Sequence, residues 1–517
     1  MKFPLLSAAL TMCFCTGIFA QQQQAPPEYA ELRAAIQSLD APARVKELKR
    51  IKAAYPSSTL IFQIDMNLLS ALTESADSLE KALADQKEIL DEIKLQYKFS
   101  AFVNATSMLI GHSKVDDFSG DELLKAVQGY KAKGNELIAN PDFMATIPEN
   151  YREQALNSYK TAFEIPLANA QMKAGNNKVA LDILEKYKTT GTLNAGYYTA
   201  LGEVLFSLER FDGAMNALMS AVTEGNSSAL ENAKKAYAKV KGSEDGFEVA
   251  LKALRTQLPF HPPPFKAPEN WQGKAVLAEL FTGSECPPCV AADFAFDGFI
   301  ESYPTKYLVI LEYHLPIPLY DPMMNPTAIK RQSYYGRNVI GGTPTIVING
   351  VHSIPAGGGR GAALGSFNRL KEGIDPLINH VAEVTITAKA TLSGDEVKVD
   401  CEFSSVIENA DYNVILVQGM EEFEGGNGII HHKMVVREMT TISPATSATV
   451  SFNIPESEKA TEDHVTEWSK TINQGIFSGS KWPQINFKID RKDLKAVVFI
   501  QHKESKQVLN AFVADVK

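Results

Sequence analysis

The stretch that decides the fold is LFTGSECPPC, which runs from Leu280 to Cys289. An apolar segment, AVLAELF, begins at Ala275 and has the length and composition of a short buried strand. From about Pro287 to Glu301 apolar residues recur at the spacing of a helix. The two cysteines, separated by two residues, therefore lie where a strand ends and a helix begins. Such a pair suits a redox-active disulfide, part of a metal site or a structural crosslink.

The chain has 517 residues, which is too long for a single hydrophobic core and favours about three domains. Its net charge is −10 at pH 7, and charges of both signs are interspersed along the sequence. This acidity argues against nucleic acid and anionic membranes as partners.

Residues 1–20, MKFPLLSAALTMCFCTGIFA, place one lysine before an apolar run that ends at Ala20, ahead of a glutamine tract. This pattern predicts a secretory signal peptide that is cleaved near Ala20. No later segment has the roughly twenty uninterrupted apolar residues that a membrane span requires. We therefore expect a secreted or periplasmic protein without an integral membrane segment, and association with the cell envelope is compatible with this location. After cleavage three cysteines remain, Cys286, Cys289 and Cys401, which is too few for an exported protein that depends on disulfides for stability.

Residues 27–257 show helical periodicity and are rich in Ala, Leu, Lys and Glu. Two segments superpose at an offset of 34 residues, with Ala180 on Ala214 and Leu184 on Leu218. This offset is the period of the tetratricopeptide repeat. We expect a helical tetratricopeptide-like domain whose concave surface can hold a protein partner, although a helical spacer without a ligand fits the pattern equally well.

The C-terminal half divides into three further segments. Residues 258–271, LPFHPPPFKAPENW, contain five prolines and predict a stiff, extended linker at a domain boundary. Residues 272–380 predict the element order βαβαββα, with a hairpin turn at Asn349-Gly350, which is typical of a thioredoxin-like α/β fold. Residues 381–517 alternate apolar and polar positions over many short strands, which indicates a β-sandwich. The expected architecture is thus multidomain: an α-helical array, then a thioredoxin-like domain, then a β-sandwich domain.

The position of the cysteine pair predicts its chemistry. A thiol at a helix N-terminus loses its proton more readily, so Cys286 is the expected nucleophile. Cys289, one turn later, is within disulfide reach and is expected to resolve a mixed disulfide. Glu279, in the preceding strand, is a candidate proton acceptor for Cys289 if it is buried. The alternative is that Glu279 faces outward or pairs with a nearby cation.

Several segments carry a resemblance to known families. LAELFTGSECPPC, LVILEYHLPIPLYDP, IKRQSYYG and GGTPTIVINGV resemble the thioredoxin-fold domain of a group of secreted bacterial proteins. GNGIIHHKMVVREM is similar to the β-domain of Omp28-related outer-membrane proteins, which carry a thioredoxin-like domain ahead of it. The resemblance covers roughly residues 272–517. Glu279 lies seven residues before Cys286, whereas thioredoxin has an acid six before its first cysteine, and Glu285 replaces the tryptophan that thioredoxin has there.

The resemblance implies a fold and a redox role, without a cofactor or a particular substrate. It also implies that Pro344 is cis, that it packs against the cysteine pair, and that Thr343 and Pro344 contact a substrate chain. The function expected is that of an exported thiol-disulfide oxidoreductase acting on protein thiols and disulfides. The direction of the reaction and the reduction potential stay open.

Two other functions remain as alternatives. One is a non-catalytic scaffold of the cell envelope, in which the helical repeats and the β-sandwich hold partners. The other is a metal-binding protein that completes the cysteine pair with His431 and His432 or with Cys401. Against a metal site, the two histidines of an extended segment face opposite ways, and Cys401 alternates with apolar residues of a core face.

Overall fold

The computed structural model describes residues 26–190, 193–317, 321–472 and 487–517. The predicted signal peptide lies outside these residues. Contacts divide the chain into two compact units. The first contains the residues up to 222 together with 226–245, and the second contains 223–225 together with 246–517. Among the helices of the described residues, none is long and apolar enough to cross a lipid bilayer.

The first unit is an array of helices, as predicted. They are α1 (Pro27–Ser38), α2 (Ala41–Ala54), α3 (Ile61–Ser75), α4 (Leu79–Glu92), α5 (Leu95–Ile110), α6 (Gly120–Ala139), α7 (Pro141–Ala145), α8 (Arg152–Thr161), α9 (Glu164–Lys173), α10 (Asn177–Thr190), α11 (Ala195–Ser207), α12 (Phe211–Thr223) and α13 (Leu230–Lys241). Polar side chains begin several of them: Asp40, for example, accepts a hydrogen bond from the backbone N–H of Ala43, which satisfies a donor without a partner in the helix.

The positions that superpose at 34 residues are equivalent in the structure. Ala180 and Leu184 on α10 and Ala214 and Leu218 on α12 are all fully buried. Small alanines at these positions let neighbouring helices approach closely. The backbone of Gly202 on α11 comes so near Leu218 that a Cβ there would lie 2.5 Å from its side chain. Repeated helix pairs therefore build this region.

The second unit contains helices and all the strands of the described residues. The helices are α14 (Phe247–Thr256), α15 (Val290–Ser302), α16 (Pro326–Tyr335), α17 (Ala363–Ile378) and α18 (Ile454–Ile472). The strands are β1 (Val276–Thr282), β2 (Leu308–His314), β3 (Thr345–Ile348), β4 (His352–Ser353), β5 (Ile386–Ser393), β6 (Glu396–Phe403), β7 (Ala410–Glu422), β8 (His431–Ile442), β9 (Ser447–Asn453), β10 (Leu494–His502) and β11 (Val508–Asp515).

Eight of these strands form one mixed sheet in the order β11-β10-β7-β8-β2-β1-β3-β4. β1 and β2 are parallel, whereas β3 runs antiparallel to β1 and to β4. The elements from β1 to α17 follow one another as β-α-β-α-β-β-α. Asn349 and Gly350, between β3 and β4, both have positive φ, as the predicted turn requires. β1 and β2 are buried along their whole length, so both faces of the sheet are covered at the position of the cysteine pair.

The strands expected to form a separate β-sandwich divide between two sheets. β5, β6 and β9 form a small antiparallel sheet that packs on β7 and β10 through residues such as Val399, Phe452, Leu416 and Val498. β7, β8, β10 and β11 instead extend the sheet of β1, because β8 pairs in parallel with β2. The predicted boundary at 380/381 therefore falls inside one compact unit. The region also contains helix α18, which follows β9 and for which the sequence made no prediction.

The division between the units precedes the proline-rich segment. α14 belongs to the second unit, and the guanidinium of Arg360 donates hydrogen bonds to its C-terminal carbonyls, at 2.9 Å for Leu254 and 3.2 Å for Arg255. Residues 258–271 contain no helix, as predicted, but they are not a free spacer. The ring of Phe260 packs on Phe367 of α17, and the ring of Phe265 packs on Tyr303, the residue that follows α15.

Candidate functional site

The cysteine pair lies between the end of β1 and the start of α15. Cys286 and Cys289 form a disulfide. Cys286 has extended backbone geometry and precedes a short 3-10 turn, Pro287–Cys289, which leads directly into α15. The prolines suit this place because the first N–H groups of a helix have no carbonyl partner within it. Cys286 thus precedes the N-terminal, positive end of the α15 dipole.

A glycine-rich loop fixes the turn that carries the cysteines. The N–H of Gly358 donates to the carbonyl of Pro288 at 2.7 Å, and the N–H of Ala291 donates to the carbonyl of Gly358 at 2.9 Å. Gly358 has a φ of 145°, a conformation that other residues rarely adopt. These backbone bonds hold the start of α15, and with it the disulfide, in a defined place.

Thr343 and Pro344 lie beside the disulfide. The hydroxyl of Thr343 donates to the sulfur of Cys286 at 3.3 Å, and the Thr343–Pro344 peptide bond is cis. Thr343 is 57 positions from Cys286 in sequence, and β3, which pairs with β1, brings it and Pro344 there. The structure therefore brings together four of the five predicted site residues: Cys286, Cys289, Thr343 and Pro344.

Glu279, the fifth predicted residue, is buried but lies on the other face of the sheet. Successive side chains of a strand alternate, so Glu279 faces away from the side that Thr282 shares with α15. Arg331 of α16 donates two hydrogen bonds to its carboxylate, at 2.7 and 3.0 Å, and the Tyr335 hydroxyl donates a third at 2.5 Å. Arg331 also donates to Gln501 of β10. This placement argues against Glu279 as the proton acceptor of Cys289 and makes it half of a buried ion pair.

A different carboxyl lies on the side of the cysteines. Asp293 is four residues after Cys289, whose backbone is already helical, so the two side chains lie on the same face of the helix, about 5–6 Å apart at Cβ. Thr282 donates from its hydroxyl to both carboxylate oxygens of Asp293, at 3.0 and 3.1 Å. Burial raises the pKa of Asp293 to about 7, against the smaller opposing effects of His314 and the Thr282 hydroxyl. The sequence offered a weak signal for this residue, an acid one turn after the second cysteine.

A second buried polar group supports the loop that precedes Cys286. Asp321 accepts hydrogen bonds from the N–H groups of Ser284 at 2.6 Å and Met323 at 2.8 Å, and Nδ1 of His314 lies 2.9 Å from its carboxylate. Burial acts to raise the pKa of Asp321, but His314 and the backbone donors outweigh it and hold the pKa below its usual value. Asp321 therefore fixes the cysteine loop, a role that sequence reasoning missed.

The candidate metal ligands do not converge. Cys401 is buried in the core between the two sheets, and burial raises the pKa of its thiol to about 11. His432 is buried and its ring lies 5.1 Å from that of His314, whereas His431 is half-buried. Burial, and then the nearby His314, lower the pKa of His432 to about 3. Within the described residues, no group of three or more His, Cys, Asp or Glu side chains could hold a metal ion.

Comparisons with known proteins give distant likenesses. No family model matches the chain, and neither does any curated protein sequence. A structural-genomics target protein from Agrobacterium tumefaciens is 19% identical, with a TM-score of 0.30, over 48% of this chain and 95% of its own. A tetratricopeptide repeat protein from Parabacteroides merdae is 14% identical, with a TM-score of 0.16, over 40% of this chain and 96% of its own.

A third solved structure, the alkylpurine DNA glycosylase AlkC of Pseudomonas fluorescens bound to DNA containing an abasic site analog, is 10% identical. Its TM-score is 0.20, over 94% of this chain and 95% of its own. Likenesses this low carry no argument about function. The proposal below therefore depends on the geometry of the site and on the sequence.

Proposed function

We propose that the protein is an exported thiol-disulfide oxidoreductase of the thioredoxin-like class, which acts on protein thiols and disulfides. One observation carries the proposal: the Cys286–Cys289 disulfide sits at the N-terminus of α15 with Thr343 3.3 Å from the sulfur of Cys286. A helix N-terminus stabilises the thiolate, which is the form of cysteine that attacks a disulfide. The element order from β1 to α17 and the motif resemblance to thioredoxin-fold and Omp28-related proteins support the same class.

The exchange has two balanced steps. In the oxidising direction, a substrate thiolate attacks the sulfur of Cys286, the bond to Cys289 breaks, and Cys289 leaves with the electron pair. A second substrate thiolate then attacks the substrate sulfur of the mixed disulfide and releases Cys286 as a thiolate. The substrate dithiol becomes a disulfide and the protein becomes a dithiol. Reduction of a substrate disulfide follows the same steps in reverse, with Cys286 as nucleophile and Cys289 as resolver.

Asp293 takes the proton role that the sequence assigned to Glu279. In the oxidising direction a protonated Asp293 gives its proton to the departing Cys289 sulfur, and in the reducing direction it accepts the proton of the Cys289 thiol. A pKa of about 7 lets the same group act in both directions near neutral pH. Thr343 and Pro344 line the approach to Cys286 and contact the substrate chain. The helical repeats of the first unit supply a surface for a protein partner.

Insulin reduction tests the proposal. With dithiothreitol as electron source, the wild-type protein is expected to accelerate insulin precipitation, and Cys286→Ser is expected to fall to the uncatalysed rate. Cys401→Ser is the matched control, because this third cysteine is buried in the core between the sheets and should leave the rate unchanged. If Cys286→Ser matched the wild type, the redox function would be excluded.

A scaffold function is the second candidate, and the burial of the sulfurs favours it. Cys286 is 1% exposed and Cys289 is fully buried, as in disulfides that only stabilise a fold. A scaffold predicts that Cys286→Ser lowers the free energy of unfolding and that the wild type has no insulin activity. Insulin reduction by the wild type and the free energy of unfolding of Cys286→Ser, measured together, therefore separate the two functions.

A further inference from the structure

The loop between β7 and β8, residues 423–430, packs against the loop that carries Cys286; we call it the cap loop. Asn427 makes most of its contacts. The backbone N–H of Asn427 donates to the carbonyl of Ser284 at 3.0 Å, and its side-chain amide donates to the carbonyls of Gly283 at 3.2 Å and Cys286 at 3.4 Å. Asn427 alone thus bonds to three of the four residues from Gly283 to Cys286.

Two glycines allow this close approach. A Cβ at Gly425 would lie 2.6 Å from the backbone oxygen of Ser284, a distance at which one of the two must move. The N–H of Gly426 donates to the carboxylate of Glu285 at 3.0 Å. Glycine at 425 is therefore required for the cap loop to remain where it is.

The cap loop is itself well anchored. Its ends are joined by backbone bonds from Phe423 to Ile430 and from Gly425 to Ile429, both 2.9 Å long. Two ion pairs tie the same hairpin to α14: Arg255 with Glu424 at 2.6 Å and Lys252 with Glu422 at 2.8 Å. The cap loop is therefore held from two sides, by the loop that carries Cys286 and by α14.

We infer that the cap loop determines which molecules reach Cys286, and that it has to move away before a bulky thiol or disulfide can react. Attack on a disulfide requires the incoming sulfur to approach Cys286 directly, and a residue that is only 1% exposed offers little room for this approach. The inference deepens the proposed function, since it concerns access to the same disulfide. Asn427 and Gly425 become the residues that set the size of the accepted substrate.

The test measures chemical reduction of the Cys286–Cys289 disulfide in the full chain, without any turnover. Dithiothreitol and a 12-residue peptide with one cysteine serve as a small and a bulky reductant, each in excess. Samples are quenched with acid and alkylated under denaturing conditions, and mass spectrometry counts the thiols. In the mature chain, after cleavage near Ala20, Cys401 contributes one adduct at every time point, so reduction adds two more.

Asn427→Ala removes the side-chain bonds of the cap loop, and Gly425→Ala displaces the loop by steric contact. Each variant is expected to speed up reduction by the peptide about tenfold, the factor that ~1.4 kcal/mol of lost contact energy gives. Reduction by dithiothreitol should change by a smaller factor. Asn379→Ala, an exposed asparagine at the end of α17, is the matched control and should change neither rate.

Two results would overturn the inference. If both variants left the peptide rate unchanged, the loop would not limit access. If both reductants were accelerated equally, the loop would not select by size. Thermal unfolding followed by tryptophan fluorescence checks that each variant is folded. The outcome is independent of the insulin assay, because a protein without catalytic activity still has a disulfide whose reduction can be timed.

Discussion

The two faces of the sheet around β1 each bury a carboxyl group, and the two groups have opposite surroundings. On the α16 face, Glu279 is held by the planar guanidinium of Arg331 in two hydrogen bonds and by the Tyr335 hydroxyl in a third. On the α15 face, Asp293 is held by the neutral hydroxyl of Thr282. Burial alone therefore does not identify a proton acceptor. The charge of the partners decides whether a buried acid can exchange a proton.

The difference also separates structural from chemical roles. Glu279 supplies the counter-charge of the buried guanidinium of Arg331, so the two side chains form a structural ion pair. Among the described residues no cation is hydrogen-bonded to Asp293. Asp297 and Asp321 add negative charge nearby, and Glu312 is buried close by. The pKa of Glu312 is itself raised well above its usual value, first by its burial and then by Asp293 and Asp297. The buried carboxyl groups with raised pKa values, Asp293 and Glu312, are thus on the face of the sheet that carries the cysteines.

Breaking the ion pair should have the largest effect on stability. Glu279→Gln keeps the shape of the side chain but leaves the charge of Arg331 buried and unpaired, and such changes lower the free energy of unfolding by about 3–5 kcal/mol. Urea unfolding at pH 7, followed by tryptophan fluorescence, measures the loss. Trp271 and Trp468 lie in the second unit, and the sequence has no tryptophan among residues 1–245, so the signal does not come from the first unit.

The double variant Glu279→Leu, Arg331→Met is the control for the ion pair. It removes both charges together and replaces them with apolar groups, so it should recover most of the stability that Glu279→Gln loses. Insulin activity per folded molecule should persist in the double variant. A complete loss of activity there, with the fold intact, would return Glu279 to the catalytic role that the sequence suggested.

Asp293→Asn should raise the free energy of unfolding by an amount comparable to the loss expected for Glu279→Gln. The pKa of Asp293 is raised by burial from 3.8 to about 7 on folding, so the unfolded chain loses its proton at a lower pH than the folded protein. Below about pH 4 Asp293 is protonated in both the folded and the unfolded state, so it does not lower the free energy of unfolding. Between pH 4 and 7 stability falls as the unfolded state ionises first, and above pH 7 the penalty is constant. The asparagine variant should therefore be more stable than the wild type at pH 8, by up to ~4 kcal/mol, and equal to it at pH 4.

The same variant tests the proton role. Without a titrating group beside Cys289, resolution of the mixed disulfide should slow, and the step in its pH profile near neutral pH should disappear. Thr282→Val removes the hydrogen bond to Asp293 without removing the acid, and it should shift that step to higher pH. A pH profile that is identical in Asp293→Asn and wild type would show that the carboxyl takes no part in the exchange.

Local patterns in the sequence predicted local structure well. The extended proline-rich segment, the helix after the cysteines and the turn at Asn349-Gly350 all depend on neighbouring residues, and all are present. The side on which a strand residue points was harder to predict. A shift of one residue in strand phase moves every side chain to the other face, and this is how Glu279 came to be placed beneath the cysteines.

The pairing of strands that are far apart in sequence could not be predicted, for a related reason. Alternation of apolar and polar residues shows that β7 and β8 are strands but does not show which sheet they join. β8 pairs with β2 across more than a hundred residues of sequence, at Glu312 and Val435, and this pairing brings the cap loop to Cys286. Contacts of Asn427 therefore could not be foreseen from a motif of a few residues.

The smallest effect on stability is expected from the third hydrogen bond to Glu279, which Tyr335 donates. The adjacent Tyr334 provides a matched control. The Tyr335 hydroxyl donates to the carboxylate and accepts from Arg331 at 2.8 Å. Tyr335→Phe deletes a hydrogen bond to a charged group and should lower the free energy of unfolding by about 2 kcal/mol. The hydroxyl of Tyr334 has no hydrogen-bond partner among the described residues, so Tyr334→Phe should be neutral or slightly stabilising in the same urea experiment. Equal losses in the two variants would mean that the rings, which both pack on Arg331, stabilise the ion pair and that the hydrogen bond to Glu279 contributes little.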